Sequence, residues 1–102
     1  SRDHWQRVQQ GHAGANLMPL IASNRIGNEE QDGYDITFYG SSFIANQFGE
    51  KVQELNETDE GVLVHTFDLD QLEHIRSAWG SFRDRRPNLY GALKTLDGSL
   101  ES

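Results

Sequence analysis

The order of its predicted elements most constrains what this chain can fold into. One helix, four strands, a second helix and a tail follow one another within 102 residues. The first strand, residues 18–25, is apolar almost without a break, which is typical of a strand buried on both faces. Two helices cannot cover both faces of a four-stranded sheet. The sequence therefore predicts an α/β (α+β) fold that amounts to one half of a layered sandwich.

The first predicted helix spans residues 3–15, with Asp3 at its N-cap position. One face of this helix carries side chains at spacings of three and four, namely Trp5, Val8, His12 and Ala15. Gly11 and Gly14 each weaken the helix by about 1 kcal/mol relative to alanine. Two glycines three residues apart indicate that another backbone passes close by, so we expect a packed interface along this helix.

Three further strands are predicted downstream. Residues 36–46 and 50–55 are expected to form a hairpin around a turn at residues 46–49. A fourth strand is expected at residues 62–67. Between the first two strands, residues 27–35 are predicted to form a polar loop that carries four acids, Glu29, Glu30, Asp32 and Asp35.

The second helix is predicted from an apolar stripe with helical spacing, formed by Leu69, Leu72, Ile75 and Trp79. Asp68 or Asp70 caps its start, and Gly80 ends it. Pro87 then opens a short helical turn, and the tail from Lys94 onward is expected to fray.

Charge and cysteine content exclude several functional classes. The net charge is −7, from 16 acidic against 9 basic residues, so binding to nucleic-acid phosphates is disfavoured. The cluster of Arg83, Arg85 and Arg86 does not change this, because Asp84 lies inside it. Without cysteine, the chain has neither a disulfide scaffold nor a thiolate metal site. The four histidines show no metal-ligand spacing, so no metal is expected.

No apolar run approaches the length that a membrane-spanning helix needs, and no membrane partner is expected. The acidic balance would suit a cationic small substrate, although solubility alone is the more common reason for it. The cytoplasm is the expected compartment. Since Ser1 is not a translational start, we expect the chain to be part of a longer protein.

Several segments occur in an order that is specific when they are taken together. Residues 22–27 (Ala-Ser-Asn-Arg-Ile-Gly) form a strand that ends in Asn and Arg before a variable loop. Residues 37–45 contain an aromatic-Gly-x-Ser pattern, and Gly49 and Glu50 follow in a hairpin turn. Residues 67–70 (Phe-Asp-Leu-Asp) join the last strand to a helix. In these segments the chain resembles the carbon–nitrogen hydrolases of the nitrilase superfamily.

Two longer segments narrow the resemblance to one branch of that superfamily. They are residues 2–13, which begin Arg-Asp-His-Trp-Gln-Arg-Val, and residues 79–87, Trp-Gly-Ser-Phe-Arg-Asp-Arg-Arg-Pro. Both are more similar to the N-carbamoylputrescine amidases than to the ω-amidases, aliphatic nitrilases or β-ureidopropionases. The resemblance covers about nine-tenths of the chain.

The resemblance implies a fold and a place within it. The complete family domain is a four-layer α-β-β-α sandwich, of which residues 1–102 would be the C-terminal portion. Residues 1–93 would correspond to the family domain and residues 94–102 to a tail. The family works with a Cys nucleophile, a Glu and a Lys, and all three would lie upstream of Ser1. This chain alone would therefore be inactive.

The implied reaction is hydrolysis of N-carbamoylputrescine, a small carbamoyl amine, to putrescine, ammonia and carbon dioxide. A thiolate attacks the carbamoyl carbon, ammonia leaves, and water releases an N-carboxylated amine that loses carbon dioxide. The Glu would serve as general base, and the Lys would stabilise the developing oxyanion. The resemblance implies no organic cofactor and no metal.

Two groups of residues are candidates for the substrate pocket or for bracing it. Asn24 and Arg25 end a strand that is expected to be buried, at the lip of the sheet, where ligands often bind. Tyr39, Ser41 and Ser42 flank Gly40, where backbone can approach closely. The simpler interpretations are a turn-stabilising Asn, a structural Arg and serines that bond backbone. A serine nucleophile is disfavoured, because neither Ser lies in a strand-to-helix elbow.

Two other groups are candidates for a subunit interface in a homo-oligomer, a dimer or larger. By resemblance, the first helix corresponds to a family helix at the dimer surface, which assigns Trp5, Val8, Gly11 and His12 to it. Family members also pack their C-terminal extension against a partner subunit, which assigns Trp79, Phe82, Arg83, Arg85 and Arg86. Arginine is favoured at such interfaces because its planar fork pairs carboxylates bidentately.

Other functions remain open on the sequence alone. One is a related carbamoyl or amide hydrolase of the β-ureidopropionase or ω-amidase type. Another is a non-catalytic interaction module, which would fold cooperatively by itself. The acids at residues 29–35 would, on a further hypothesis, bind the ammonium end of a diamine chain, although a solvated loop is the simpler interpretation.

Overall fold

A computed structural model describes residues 1–100. Its helices are α1 (Arg2–Asn16) and α2 (Leu69–Trp79), followed by two 3-10 turns at Pro87–Leu89 and Gly91–Lys94. Its strands are β1 (Leu20–Ala22), β2 (Ile26–Gln31), β3 (Tyr34–Tyr39), β4 (Phe43–Ala45) and β5 (Lys51–Glu54). In this part of the chain every strand pair is antiparallel, with β4 between β1 and β5 in one sheet and β2–β3 as a second. The predicted mixture of helices and strands is confirmed.

The core lies between α1 and the three-stranded sheet. Its buried members are small or aromatic: Ala13, Ala22, Phe43 and Ala45. Trp5 packs its indole edge-on against the Phe43 ring, with 5.6 Å between the ring centroids. Alanines on both surfaces let the helix lie close to the sheet, and the two aromatic rings fill the wider end of the gap.

The backbone of the turn between β4 and β5 lies in direct contact with the backbone of α1. A Cβ atom on Gly14 would lie 3.3 Å from the Phe48 carbonyl oxygen, and one on Gly49 would lie 2.6 Å from the Gln10 carbonyl oxygen. The expectation of a close backbone beside the helix is therefore confirmed at Gly14, but that backbone belongs to this same chain. At Gly11 no atom lies within 4 Å of the added Cβ, so that glycine faces open space.

The interpretation of residues 27–35 as a loop is wrong. They belong to the β2–β3 hairpin, in which Gln31 pairs with Tyr34 across a two-residue turn. Asp32 has φ 48° and Gly33 φ 84°, and an Asp-Gly pair is the type of turn that adopts two positive φ angles at low cost. The acidic character of the segment obscured this hairpin signal.

Two of the predicted strands also differ from the structure. The strand expected at residues 36–46 is broken at Gly40 and Ser41, so β3 and β4 belong to different sheets. No strand forms at residues 62–67, where Val62 and Val64 are exposed. The preference of valine for strands depends on context. The bond between this segment and the edge strand β5 comes from a side chain, Gln53 Nε2 to the Val64 carbonyl, and not from backbone pairing.

The prediction that the first strand is buried on both faces is wrong for this chain by itself. Ala22 faces the core, whereas Ile21 on the opposite face is 74% exposed. The described residues extend over 52 × 40 × 15 Å, which is thin enough for about two layers of secondary structure. Apolar side chains are therefore left on an uncovered face of the sheet.

Helix α1 begins one residue earlier than predicted, and Asp3 is not its cap. Ser1 occupies the N-cap position without a side-chain bond, and the Asp3 carboxylate instead accepts from the Arg2 guanidinium at 3.0 Å. The predicted apolar face is also rotated from the observed one, in which Gln6 and Ala13 are the buried residues. Periodicity did not indicate this face because glutamines on it are buried through hydrogen bonds.

The ends of α2 follow the sequence signals. The Asp68 side chain accepts a hydrogen bond from the Gln71 backbone N–H at 3.1 Å, which resolves the choice between Asp68 and Asp70. Gly80 ends the helix with φ 66°. Of the predicted stripe, Leu72 is buried, whereas Leu69 and Trp79 are largely exposed.

Replacing Gly49 with alanine should destabilise the full-length protein strongly. The change forces a non-glycine residue to φ 81° and drives its Cβ into the Gln10 carbonyl. Gly33→Ala is the matched control, because its φ is 84° and no atom lies within 4 Å of its added Cβ. We expect a loss of unfolding free energy of about 3 kcal/mol for Gly49→Ala and about 1 kcal/mol for Gly33→Ala. Equal losses in chemical denaturation would contradict the close packing.

Removing the cap of α2 should cost stability in a position-specific way. Asp68→Ala leaves the Gln71 N–H without its partner, and such N-cap losses are typically about 1 kcal/mol. Asp70→Ala lies in the first turn and removes no cap bond, so it should cost less. Thermal denaturation of both variants measures the difference, and an equal effect would argue against the cap.

Candidate functional site

A kink in the backbone at Gly40 and Ser41 forms the centre of the candidate site. Their φ angles are 53° and 59°, so two consecutive residues lie in the left-handed region, which non-glycine residues seldom adopt. A side chain at Gly40 would collide with the Ile26 side chain. The Gly40 N–H donates to the Arg25 carbonyl at 2.9 Å, and the Ser41 N–H donates to the Asn56 carbonyl at 3.1 Å. The kink is thus bonded into its surroundings.

Asn24 and Ser42 hold the kink from one side. The Asn24 backbone N–H donates to Ser42 Oγ at 2.7 Å, and the Asn24 side chain donates from Nδ2 to the Gly40 carbonyl at 2.9 Å. Ser41, which is fully buried, donates from Oγ to the Tyr39 carbonyl at 2.8 Å. The side chains therefore fix the direction in which the backbone leaves β3.

An open cleft of about 740 Å³ lies in front of the kink. Four of the five predicted pocket residues line it: Asn24, Arg25, Ser41 and Ser42. The fifth, Tyr39, is not among the lining residues, and its ring instead packs against Trp5 with 5.7 Å between centroids. The opposite wall comes from a segment that sequence reasoning did not single out, consisting of Leu55, Asn56, Asp59, Glu60, Gly61 and Val62.

The cleft can bind and orient a ligand but holds no activated nucleophile of its own. Ser41 and Ser42 use their hydroxyls in the bonds around the kink. The side chains that line the cleft include no histidine to serve as their base. Neither serine hydroxyl therefore has an adjacent base that would activate it as a nucleophile within the cleft.

Charge around the cleft is acidic on balance. Arg25 is neutralised by Glu29, with 2.6 Å between Nη1 and Oε2, and its guanidinium lies 4.1 Å from the centre of the Phe38 ring. Asp59 and Glu60 line the far wall. Arg25 is the one basic residue among the side chains that line the cleft. The acids at the hairpin tip, from Glu30 to Asp35, do not line this cleft.

Behind the kink, a polar network joins α1 to β5. Gln6 is buried on α1, and its Nε2 donates both to the Ser41 carbonyl at 3.0 Å and to the Glu54 carboxylate. Lys51 Nζ donates to Gln6 Oε1 and to Glu54 Oε2, each at 3.1 Å. Sequence reasoning missed this network. A polar residue between apolar helix neighbours, Trp5 and Val8, was the available signal.

The network lowers the pKa of Glu54. The hydrogen bond from Gln6 is the largest cause, the bond and charge of Lys51 add to it, and Arg2 contributes at longer range, while partial burial opposes the shift. A carboxylate with a lowered pKa stabilises the folded state at pH values above its unfolded pKa. That stabilisation is lost as the pH falls through the folded pKa.

Glu54→Gln should therefore remove a pH-dependent part of the stability. We expect the wild type to be more stable than the variant near neutral pH. The difference should shrink as the pH falls below about 4.3, the ordinary glutamate value. Denaturant unfolding across this range measures both proteins side by side. A difference that stays constant down to about pH 3 would show that Glu54 does not interact with the network as a carboxylate.

The predicted interface residues occupy two exposed surfaces and one partly buried position. Val8, Gly11 and His12 lie on the outer side of α1, away from the sheet. The C-terminal set is exposed as well: Trp79, Phe82, Arg83, Arg85 and Arg86. Trp5 differs, since its ring is part of the core. The guanidinium of Arg85 lies 3.6 Å from the centre of the Phe82 ring, and both residues adjoin the end of α1.

A second, apolar hollow of about 710 Å³ lies between the start of β1 and α2. Met18, Ile21 and Leu69 contribute exposed apolar surface to it.

Within residues 1–100, no group of three acidic or histidine side chains is arranged to hold a metal ion. None of the helices described here has the length and apolar character needed to cross a membrane.

The chain is similar to known proteins along nearly its whole length. It is 59% identical to the N-carbamoylputrescine amidase of Arabidopsis thaliana, over 98% of this chain and 35% of that protein. It is 51% identical to the citrullinase of Francisella tularensis, over 91% of this chain and 32% of that protein. The crystal structure of a carbon-nitrogen hydrolase from Helicobacter pylori superposes with a TM-score of 0.81 at 37% identity, over 93% of this chain and 33% of that one.

The chain therefore spans about a third of the length of the relatives that it matches. The family model described as carbon-nitrogen hydrolase matches residues 1–77, which include α1, both sheets and most of α2. The motifs around Asn24, the kink and Asp68 all fall within that range. With more than half of its sequence covered by this model, the chain belongs to the carbon-nitrogen hydrolase family.

Proposed function

We propose that this chain is the C-terminal portion of an N-carbamoylputrescine amidase. The complete enzyme hydrolyses N-carbamoylputrescine to putrescine, ammonia and carbon dioxide. The observation that carries the proposal is 59% identity, over 98% of the chain, to an enzyme of that name. The alignment spans nearly the whole chain, so the cleft and the network behind it both lie within the aligned region.

In the complete enzyme, residues 1–102 belong to a single four-layer α-β-β-α sandwich, with residues 94–102 as its tail. The exposed apolar face of the sheet supports this arrangement, because Ile21 and its neighbours would otherwise remain in water at a cost of about 25 cal/mol per Å². The span of about a third of each relative is also consistent with it.

The reaction requires a thiolate that the cysteine-free chain does not contain. The family resemblance assigns that Cys, a general-base Glu and an oxyanion-stabilising Lys to the preceding part of the domain. Attack of the thiolate on the carbamoyl carbon expels ammonia, which leaves with the proton that the Glu took from the thiol, and forms an N-substituted thiocarbamate on the Cys. Water then cleaves the carbon–sulfur bond, and the released carbamate loses carbon dioxide to give the free amine. No metal or organic cofactor takes part.

The residues of this chain bind and orient the substrate, or brace the residues that do. Asn24, Arg25, Ser41 and Ser42 line the cleft, and Tyr39 supports it from behind through its carbonyl. Because Arg25 is paired with Glu29, Asp59 and Glu60 determine the local charge. This acidic wall suits the ammonium end of a diamine derivative.

Citrulline hydrolysis is the second candidate, supported by 51% identity to a citrullinase. Citrulline carries the same ureido group, but its other end bears a carboxylate in addition to an ammonium. A carboxylate would need a cation to pair with, and Arg25, the arginine that lines the cleft, would have to exchange its partner Glu29 for the substrate. The diamine derivative is therefore favoured over the amino acid.

The complete enzyme is also proposed to form a homo-oligomer, a dimer or larger, through α1 and the C-terminal segment. Val8, Gly11, His12, Trp79, Phe82 and the exposed arginines supply the surface, and Trp5 supports the helix from inside. We also propose a cytoplasmic location for the complete enzyme, in line with the acidic net charge of −7.

Substrate preference tests the proposal directly. Ammonia release by the full-length enzyme should be fastest, in kcat/KM, with N-carbamoylputrescine. We expect an advantage of about tenfold or more over citrulline, N-carbamoyl-β-alanine and a dicarboxylic acid monoamide, because the acidic wall discriminates by charge. Residues 1–102 alone should release no ammonia. A preference for citrulline would favour the second candidate, and turnover by the isolated chain would contradict both.

A further inference from the structure

Gln6 stands out among the buried residues because its polar side chain contacts the back of the cleft. Only 3% of its surface is exposed, although it lies on a helix that could have placed an apolar residue there. Its amide forms three hydrogen bonds, two from Nε2 and one to Oε1. A buried amide is tolerated when its bonds are made, and each bond then fixes the position of its partner.

The partner that matters most is the Ser41 carbonyl. Ser41 is the non-glycine residue of the kink, and its left-handed backbone is held only as long as the surroundings favour it. Its N–H is bonded to Asn56, and its carbonyl to Gln6 at 3.0 Å. Without the Gln6 donor, that carbonyl would be buried and unpaired, and rotation of the peptide toward an ordinary conformation would be favoured.

Rotation at Ser41 would change the cleft itself. The next residue, Ser42, accepts from the Asn24 backbone through Oγ, and the preceding residue, Gly40, accepts from the Asn24 side chain. The side of the cleft that these residues form would shift with the peptide. From this arrangement we propose that Gln6 is a positioning residue, which sets the shape of the cleft through Ser41 without touching the substrate.

The inference depends on the proposed function in one respect, since the effect on catalysis requires that the cleft serve the reaction.

Gln10 offers an internal comparison. It lies one turn further along α1, and its Nε2 donates to the Gly49 carbonyl at 3.0 Å. The Gln10 bond, like the Gln6 bond, runs from a glutamine amide on α1 to a backbone carbonyl. It holds the turn between β4 and β5, however, and that turn does not line the cleft.

The test compares Gln6→Glu with Gln10→Glu in the full-length enzyme. Each change keeps the size of the side chain and replaces the donating amide nitrogen with an oxygen that cannot donate when ionised. We expect kcat/KM for N-carbamoylputrescine to fall about tenfold or more in Gln6→Glu, because misplaced site residues cost this much. It should change less than about twofold in Gln10→Glu. Both are assayed at a temperature at which circular dichroism shows them folded.

Gln6→Met serves as a second variant, because it fills the space without introducing a charge beside Glu54. If Gln6→Glu fails to fold, the same loss in Gln6→Met supports the proposal. Full activity in either folded Gln6 variant overturns it, as does an equal loss in Gln10→Glu.

Hydrogen exchange tests the positioning role of Gln6 without relying on enzyme activity, and so independently of the proposed function. Backbone amides at residues 39–43 should exchange faster in the Gln6 variants, and those at residues 46–50 in Gln10→Glu. If the wild type hydrolyses none of the ureido substrates, the proposed function fails, and the exchange pattern alone then decides whether Gln6 holds the kink. Unchanged exchange at residues 39–43 overturns the positioning role in either case.

Discussion

The packing of α1 on the three-stranded sheet is the constraint on which the rest of the structure depends. The contact brings backbone to backbone at Gly14 and Gly49, and alanines fill the interface where side chains are needed. Once the helix is fixed in this way, Gln6 points at one carbonyl of the kink and Gln10 at one carbonyl of the turn. The kink in turn determines how β3 of the two-stranded sheet connects to β4 of the three-stranded sheet, and where the cleft opens.

The sequence predicted the features that depend on local chemistry. The cap at Asp68, the end of α2 at Gly80 and the hairpin of β4 and β5 are each encoded by a few neighbouring residues, and all are confirmed. The family was also recognisable from its motifs. Asn24, Ser41 and Ser42 were candidates in two separate groups, and only the structure shows that they line one cleft, whereas the Tyr39 ring packs against Trp5.

The errors arose where tertiary contacts decide the outcome. Val62 and Val64 have the composition of a strand, but they form no backbone pairing with β5, the edge strand beside them. Residues 36–46 look continuous until the positive φ angles of the kink are known. The buried face of α1 could not be predicted from apolar periodicity, since Gln6 is buried by three hydrogen bonds. The wall at Asp59 and Glu60 comes close to Asn24 only through folding.

The β2–β3 hairpin has a consequence for how the family can diversify. Its strands are exposed along most of their length, and it joins the remainder of the chain mainly at its base, where Ile26 and Arg25 meet the kink. Within this chain, residues added at the Asp32–Gly33 tip would extend away from the cleft, which the tip does not line. The tip is therefore a permissive position for length variation in evolution, and a practical point at which to insert an affinity tag or a fluorophore.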